Sequence, residues 1–334
     1  MSDILDDALN NFDSLYSKYG KEKRVQLAPT KNNKIERLKT PFLHHELFLG
    51  GGPAISQIST LSGMYSTGKT SMAMAIAGAN PNKKVAFLDG GFNWLPSSWD
   101  WAEDMYDVGR DRLIIMQPDY IEEAGEMIYD AANEADIIIF DEFDLLAPLA
   151  EFEGFMSDQQ MGQMARSYKK FFRKTTGQIY RNDVALIITN HLYDNIGNVF
   201  EPLKEPGGRA MGDYPSQKIW MSQAKDKDKE KNVVGQKIRC EVKKDKISGH
   251  LGTKFELKYV NKKGFDYEQE VIDLGVEYNI IQKNGSWFSY GDDKLGQGDV
   301  KVNRLLKDNL ELYTEIRNKI IVAHRQIEEN NGES

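Results

Sequence analysis

From about residue 35 to 265 the chain alternates short, β-branched apolar runs with longer segments whose apolar positions recur at helical spacing. This is the signature of a parallel sheet with helical crossovers. The runs predict strands over residues 55–62, 84–89, 113–116, 137–141, 184–190, 218–223, 237–244 and 253–259. Ahead of them, Ile4, Leu5, Ala8, Leu9, Phe12, Leu15 and Tyr16 share one face of a helix over residues 3–19, and the polar, basic "KYGKEKR" follows. Such an arm needs a surface for its apolar face, either its own core or a neighbouring subunit. From about residue 268 a smaller α/β unit begins with "IDLGVEYNIIQKNGSWFSYG" and ends in the helical "VKVNRLLKDN" and "LELYTEIRNKIIVAHRQIEEN". The expected organisation is an arm over 1–34, an α/β core over 35–267 and a small α/β domain over 268–334 that closes on a short acidic tail, "QIEENNGES".

Two interruptions stand out. "AKDKDKEKNVVG", Ala224 to Gly235, alternates in sign without an apolar face and reads as a solvated turn between strands. His191 to Pro215 is a long Gly/Pro-rich connection, and connections of that length are usually functional or disordered.

Composition narrows the class. At 334 residues and 40% hydrophobic content the chain can bury a proper core. Its apolar runs fall short of a membrane span, and its acidic, amphipathic start differs from a signal peptide, so a cytosolic location is expected. The single Cys240 excludes an internal disulfide framework, and five scattered histidines give no metal-ligand spacing beyond His44 and His45. The net charge of −8 argues against coating nucleic acid with the whole surface. Local clusters such as "RSYKKFFRK" leave a nucleic-acid partner open.

The clearest chemistry lies in "GMYSTGKTS", Gly63 to Ser71, which matches G-x-x-x-x-G-K-[ST]. In such a loop the backbone N–H groups of Gly63, Ser66, Thr67, Gly68 and Ser71 would wrap a triphosphate, Lys69 would reach the β- and γ-phosphates, and Thr70 would hold magnesium (Mg2+). The apolar "QISTLSG" precedes it and the small-residue helix "TSMAMAIAGA" follows, which is the strand–loop–helix context the motif requires. ATP with magnesium is the expected ligand. Downstream, "IIIFDE" ends a dry strand on Asp141, where P-loop proteins place the carboxylate of the magnesium shell. Glu142 would face the other way, since neighbours in a strand alternate, unless the chain turns between them.

Over nearly its whole length, from about residue 8 to 325, the chain resembles the RecA recombinase family, including its UvsX branch in phages. The motifs that carry the resemblance are the P-loop, "APLAEFEGFMSDQQMGQMAR" for the first DNA-binding loop, Gly207-Gly208 for the end of the second, "NVVGQKIRCEVKKDKI" for the last core strands and "WFSYGDDKLGQGDVKVNRLLKDN" for the small C-terminal domain. It implies an α/β, RecA-like P-loop ATPase core with a mostly parallel sheet, and a right-handed filament on single-stranded DNA that pairs with homologous duplex DNA. The arm would dock on the next subunit, and ATP would lie between subunits. It implies DNA contacts at Met161, Gly162, Arg166 and Arg173, and at Ile196, Gly207 and Gly208. Lys244 and Lys246 match the family lysines that reach the neighbour's γ-phosphate, and Tyr259 matches the aromatic that packs on adenine. A plain surface strand of lysines and a core tyrosine are the simpler alternatives.

The chain departs from the family in three places. Gly91, in "DGGFNW", stands where RecA proteins carry the glutamate that activates water. His191 replaces the usual glutamine that senses the γ-phosphate, as in the phage branch. Tyr193 and Asn195 replace basic residues of the second loop, so DNA affinity is expected to rest more on Lys169, Lys204 and Arg209. Gly91 leaves two expectations: either Glu142 supplies the missing carboxylate, or the protein binds ATP and single-stranded DNA as a filament but hydrolyses poorly.

Overall fold

A computed structural model of the chain describes residues 17–18, 35–155, 162–197, 202–227 and 230–332. Apart from the helical Ser17 and Lys18, the arm expected over 1–34 lies outside the described residues, as does Met161.

The core strands are β1 (Ile58–Gly63), β2 (Val85–Asp89), β3 (Leu113–Met116), β4 (Ile137–Asp141), β5 (Ala185–Asn190), the short pair β6 (Tyr193–Asp194) and β7 (Leu203–Lys204), and β8 (Gln217–Lys227), β9 (Val233–Asp245), β10 (Lys254–Val260) and β11 (Gly264–Phe265). Nine of them form one sheet in the order β11-β10-β9-β8-β1-β5-β4-β2-β3. From β8 to β3 the neighbours are parallel, and β9, β10 and β11 add antiparallel strands at one end. Every residue of β1, β2, β4 and β5 is buried, which is why these strands read as unbroken apolar runs.

Helices cover both faces. On one side α2 (Lys69–Gly78) and α3 (Pro96–Tyr106) pack on Leu61, Phe87, Ile137, Ile139 and Ile187. On the other, α4 (Ile121–Ala131) and α6 (Gln163–Arg181) pack on Ala86, Leu88, Ile138, Phe140 and Ile188; the four-residue α5 (Leu149–Phe152) lies between them in sequence. The alternation of Ala86, Phe87 and Leu88 between the two cores is the strand period of two. A Cβ on Gly78 would lie 1.8 Å from the Tyr106 carbonyl oxygen, so the end of α2 can meet α3 only through a glycine.

α7 (Arg209–Asp213) precedes β8. Beyond β11, α8 (Tyr267–Glu277), the three-stranded sheet β12 (Gln282–Asn284), β13 (Trp287–Tyr290) and β14 (Asp293–Gln297), α9 (Asp299–Asp308) and α10 (Leu310–Gly332) enclose a third core of Val271, Ile272, Phe288, Val302, Ile316 and Ile320. Leu43 and Leu47 of α1 (Leu43–Phe48), far back in the sequence, belong to this core. His44 Nδ1 lies 2.6 Å from Glu270 Oε1, and His324 Nε2 lies 2.9 Å from the Leu47 carbonyl oxygen.

Two expectations are corrected. The sign-alternating segment is largely strand: β8 runs to Lys227 and β9 begins at Val233, with Lys225 opposite Gln236 and Asp226 opposite Gly235. A ribbon projecting beyond the core needs only its ladder hydrogen bonds, so it carries no apolar face to read. The long connection after β5 is partly built as well, with a β6–β7 stem and α7 inside it. The acidic end is helical through Gly332. Among the described residues no helix is long and apolar enough to cross a membrane.

Candidate functional site

The phosphate loop spans the end of β1 and the start of α2. A Cβ on Gly63 would fall 2.4 Å from the Met221 carbonyl oxygen of β8 and 2.6 Å from Thr67 Oγ1, so the loop can leave the sheet there only through a glycine. Ser66 and Gly68 have φ of 57° and 81°, which turns the chain into the helix. The Thr67 hydroxyl donates to the Met64 carbonyl at 2.9 Å. Lys69 Nζ donates to the carbonyls of Gly63 and Met64 at 3.1 and 3.0 Å, closing the loop on its own ammonium. Burial lowers the Lys69 pKa below its ordinary range, opposed by the carboxylates of Asp141, Asp144 and Glu142. Ser71 lies two positions beyond Lys69 on α2 and faces the Tyr106 hydroxyl.

Thr70 and Asp141, expected to share a magnesium ion, are brought together. The Thr70 hydroxyl donates to Asp141 Oδ1 and Oδ2 at 2.8 and 3.0 Å, and the Thr189 hydroxyl donates to Oδ1 at 2.6 Å. Burial pushes the Asp141 carboxyl up to about 6 in spite of these hydrogen bonds, and Glu142 adds to the rise. A hydroxyl beside a buried carboxylate is a hard-oxygen donor set that fits magnesium. Among the described residues no cluster of three or more His, Cys, Asp or Glu forms a protein-only metal cage.

The strand does turn between its two acids. Glu142 has φ 53° and ψ 44°, left-handed, which breaks the alternation that would have sent it to the other face. Its backbone N–H donates to Thr189 Oγ1 at 2.9 Å. Its carboxylate accepts from Asn93 Nδ2 at 2.7 Å, and Oε1 lies 3.9 Å from His191 Nε2. Asn93 is held by Asp89, which accepts the backbone N–H groups of Asn93 and Trp94 at 3.0 and 2.7 Å. His191 is fixed by Asp144, whose oxygens accept its backbone N–H at 2.9 Å and its Nδ1 at 3.1 Å.

Lys244 and Lys246 lie away from this loop. Lys244 pairs with Lys218, itself opposite Thr60 and short of the end of β1, and its ammonium donates to the carbonyls of Gly212 and Asp213 at 2.5 and 3.0 Å. Burial first, then Lys246 and Lys218, lower its pKa to about 8. Lys246 is exposed. Tyr259 is half-buried, edge-on to Phe265 with centroids 5.2 Å apart, and Phe265 lies beneath Gly68.

Two glycines of the second loop, Gly207 and Gly208, lie against α6, the helix that follows Gly162 and carries Arg166 and Arg173. Gly162, φ 74°, caps its start. Arg166, Lys169 and Arg173 are exposed on one face while Tyr168, Phe171, Phe172 and Ile179 are buried on the other. Gly207 rests on that helix: a Cβ there would fall 1.9 Å from the Tyr168 ring, and one on Gly208 would lie 3.7 Å from Ala165 Cβ. Arg209 and Lys204 are exposed, and Ile196 is 95% exposed. An apolar side chain in that position is available to a stacked base.

The sequence reading missed Asn93, Asp144 and Thr189. Asp144 carried a signal, an acid inside the apolar "FDLL"; Asn93 and Thr189 carried none.

Comparison with known proteins places the chain in a family. The family model for the RecA N-terminal domain matches residues 3–266, and that for the RecA C-terminal domain matches residues 269–325. Protein RecA of Clostridium tetani is 34% identical over 314 residues, covering 92% of this chain and 88% of that protein. Protein RecA of Clostridium novyi is 33% identical, with 95% and 91% covered, and that of Staphylococcus epidermidis is 30% identical, with 98% and 95% covered. With matches to both family domains and relatives aligned along nearly their full length, the chain belongs to the RecA family.

Proposed function

We propose that this protein is an ATP-dependent strand-exchange recombinase that assembles as a helical filament on single-stranded DNA, pairs it with homologous duplex DNA, and hydrolyses ATP between subunits. The observation that carries the reading is the continuity of the two sites. Asp141 ends β4 and Glu142 follows it, and the next residue, Phe143, packs under the cationic helix with ring centroids 4.3 Å from Tyr168 and 5.0 Å from Phe171.

In this mechanism Lys69 exchanges the carbonyls of Gly63 and Met64 for phosphate oxygens, and the N-terminus of α2 supplies further donors. Magnesium, held by Thr70 with Asp141 behind it, would supply charge neutralisation at the phosphates. Glu142 takes the proton of the attacking water, with Asn93 and Thr189 holding it in place. His191 faces the γ-phosphate. Lys244 and Lys246 act on the ATP of the neighbouring subunit, which agrees with their distance from their own loop. Tyr259 flanks the adenine. DNA is held by Arg166, Lys169, Arg173, Lys204 and Arg209 at its phosphates, by the backbone at Gly162, Gly207 and Gly208, and by Met161 and Ile196 between bases.

Filament growth has an open sheet edge to use. Among the described residues β3 is the terminal strand of the sheet, Ile114 on it is 59% exposed, and Arg112, Ala131 and Ala135 line the adjoining groove. An unpaired edge accepts a strand from another chain, and the arm over 1–34 is our candidate donor. A head-to-tail contact of this kind propagates a helix. The arm, the core over 35–267 and the domain over 268–334 are the three units of this proposal. A cytoplasmic site of action and, from His191, a phage-encoded origin belong to it too.

A second reading has one specific support: position 91, where the resemblance places the catalytic acid, is a glycine. It takes the protein as a filament-forming DNA-binding protein that binds ATP but hydrolyses it poorly. ATP turnover measured with and without single-stranded DNA decides. DNA-stimulated turnover is expected; absence of hydrolysis even in a single turnover on DNA leaves the second reading, and rings in place of filaments by electron microscopy overturn both.

A further inference from the structure

Asp144 has no part in the chemistry assigned above, yet its surroundings are specific. Its side chain is 0% exposed and accepts from three donors of one neighbouring segment. Oδ1 takes the His191 backbone N–H at 2.9 Å; Oδ2 takes both His191 Nδ1 at 3.1 Å and the Tyr193 hydroxyl. Buried charge-assisted bonds of this kind fix geometry. With Nδ1 engaged, the free nitrogen of the ring is Nε2, which lies toward Glu142.

Tyr193 belongs to a different functional element. It opens β6, pairs with Lys204 of β7, and so stands at the stem of the loop that carries Ile196. Burial and the bond to Asp144 raise the Tyr193 phenol above its ordinary range, so it remains a donor. A single oxygen atom therefore joins the stem of one loop to the ring beside Glu142.

We propose that Asp144 is a positioning residue that couples the second loop to the nucleotide: when DNA displaces the β6–β7 stem, the Tyr193 hydroxyl shifts on Asp144 Oδ2 and the His191 ring turns relative to Glu142. The inference rests on the reading of this loop as DNA-binding and of His191 as facing ATP. Because coupling between two ligands is reciprocal, it is measurable by binding alone.

The test uses the full chain, a fluorescent single-stranded oligonucleotide and a non-hydrolysable ATP analogue. The readout is the ratio of DNA affinities with and without the analogue. Tyr193→Phe, which removes one hydroxyl, is expected to shrink that ratio about fivefold to tenfold, within the usual range of coupling energies. Asp144→Asn, which also alters the bonds to His191, should shrink it at least as much, and the double variant should lose no more than Asp144→Asn alone, since the Tyr193 hydroxyl acts only through Asp144. An unchanged ratio in Tyr193→Phe overturns the proposal, and so do additive losses in the double variant, which would mark two independent structural roles. If Asp144→Asn does not fold, Tyr193→Phe decides alone. A wild-type chain whose DNA affinity ignores the analogue overturns this proposal together with the reading beneath it, whereas Glu142→Gln with full ATP turnover overturns only the role of Glu142.

Discussion

The carboxylate of Glu142 fills the space that a side chain at position 91 would enter. A Cβ built on Gly91 would fall 1.8 Å from Glu142 Oε2 and 2.7 Å from Asn93 Nδ2. The acid that the family resemblance places at 91 is thus absent from the backbone there, but an acid from the next strand occupies the gap. Glu142→Gln keeps the shape and removes the base. DNA-stimulated ATP turnover should fall by about 100-fold or more, the lower range for losing a general base, with nucleotide affinity nearly unchanged. Steady-state turnover with equilibrium binding of an ATP analogue checks it.

Gly91→Ala tests the same gap from the other side. The atoms in the way are the ends of two flexible side chains, so the fold should survive, with a melting temperature close to wild type. Turnover should still drop by roughly tenfold or more, because a base displaced by about 1 Å loses much of its effect. Wild-type turnover in this variant would show that Glu142 has slack to spare.

Gly207 is held in the left-handed region, φ 76°, with the Tyr168 ring against it. Gly207→Ala adds a Cβ into that ring on a backbone that disfavours one, a local cost of about 1–3 kcal/mol. The loop should lift from α6, weakening single-stranded DNA binding while leaving ATP-analogue binding intact. Paired titrations of the two ligands distinguish this from global unfolding.

Arg166, Lys169 and Arg173 are exposed on one face of α6 and should act through phosphates. Replacing any one with alanine should reduce the slope of log affinity for single-stranded DNA against log salt by about 0.7. Thermal stability should hardly change, since the buried face of the helix is untouched. An unaltered slope for all three would place the DNA elsewhere.

Lys244 offers a pH test. Its pKa is lowered from 10.5 to about 8, so the folded monomer binds this proton less tightly than the unfolded chain. The lysine therefore opposes folding at neutral pH, and that penalty lifts as pH rises from about 8 to 10.5. Function runs the other way, because a neutral lysine cannot pair with phosphate. ATP turnover on DNA should decline on the alkaline side, starting above about 8 because a phosphate paired with a lysine raises its pKa. In Lys244→Arg that alkaline limb should vanish, since guanidinium keeps its charge. A pH–rate profile of both proteins checks it.

Much of the protein is legible in one dimension because its signals are local. The apolar runs at 58–63, 85–89, 137–141 and 185–190 announce buried parallel strands, since both faces of each are covered. The Gly-rich loop announces its own geometry, because wrapping phosphate needs backbone N–H groups, a lysine and a hydroxyl at fixed short spacing. Arg166, Lys169 and Arg173 repeat at helical spacing, so their shared face was readable too.

What the sequence left open was decided by contacts between distant segments. Whether Glu142 follows Asp141 to the phosphate end or turns from it depends on a left-handed residue, on Thr189 of another strand and on Asn93 of another loop. Asp144 shows in the sequence as an acid inside an apolar run; only the fold places it between His191 and Tyr193. Leu43 and Leu47 join the C-terminal core although more than 200 residues separate them from it. The sequence by itself determined the buried core strands, the phosphate loop and the cationic helix face, because backbone periodicity and short motifs are properties of neighbours. Tertiary structure alone decided which acid stands in the space at Gly91 and what holds it, because that space is enclosed by side chains no local pattern links.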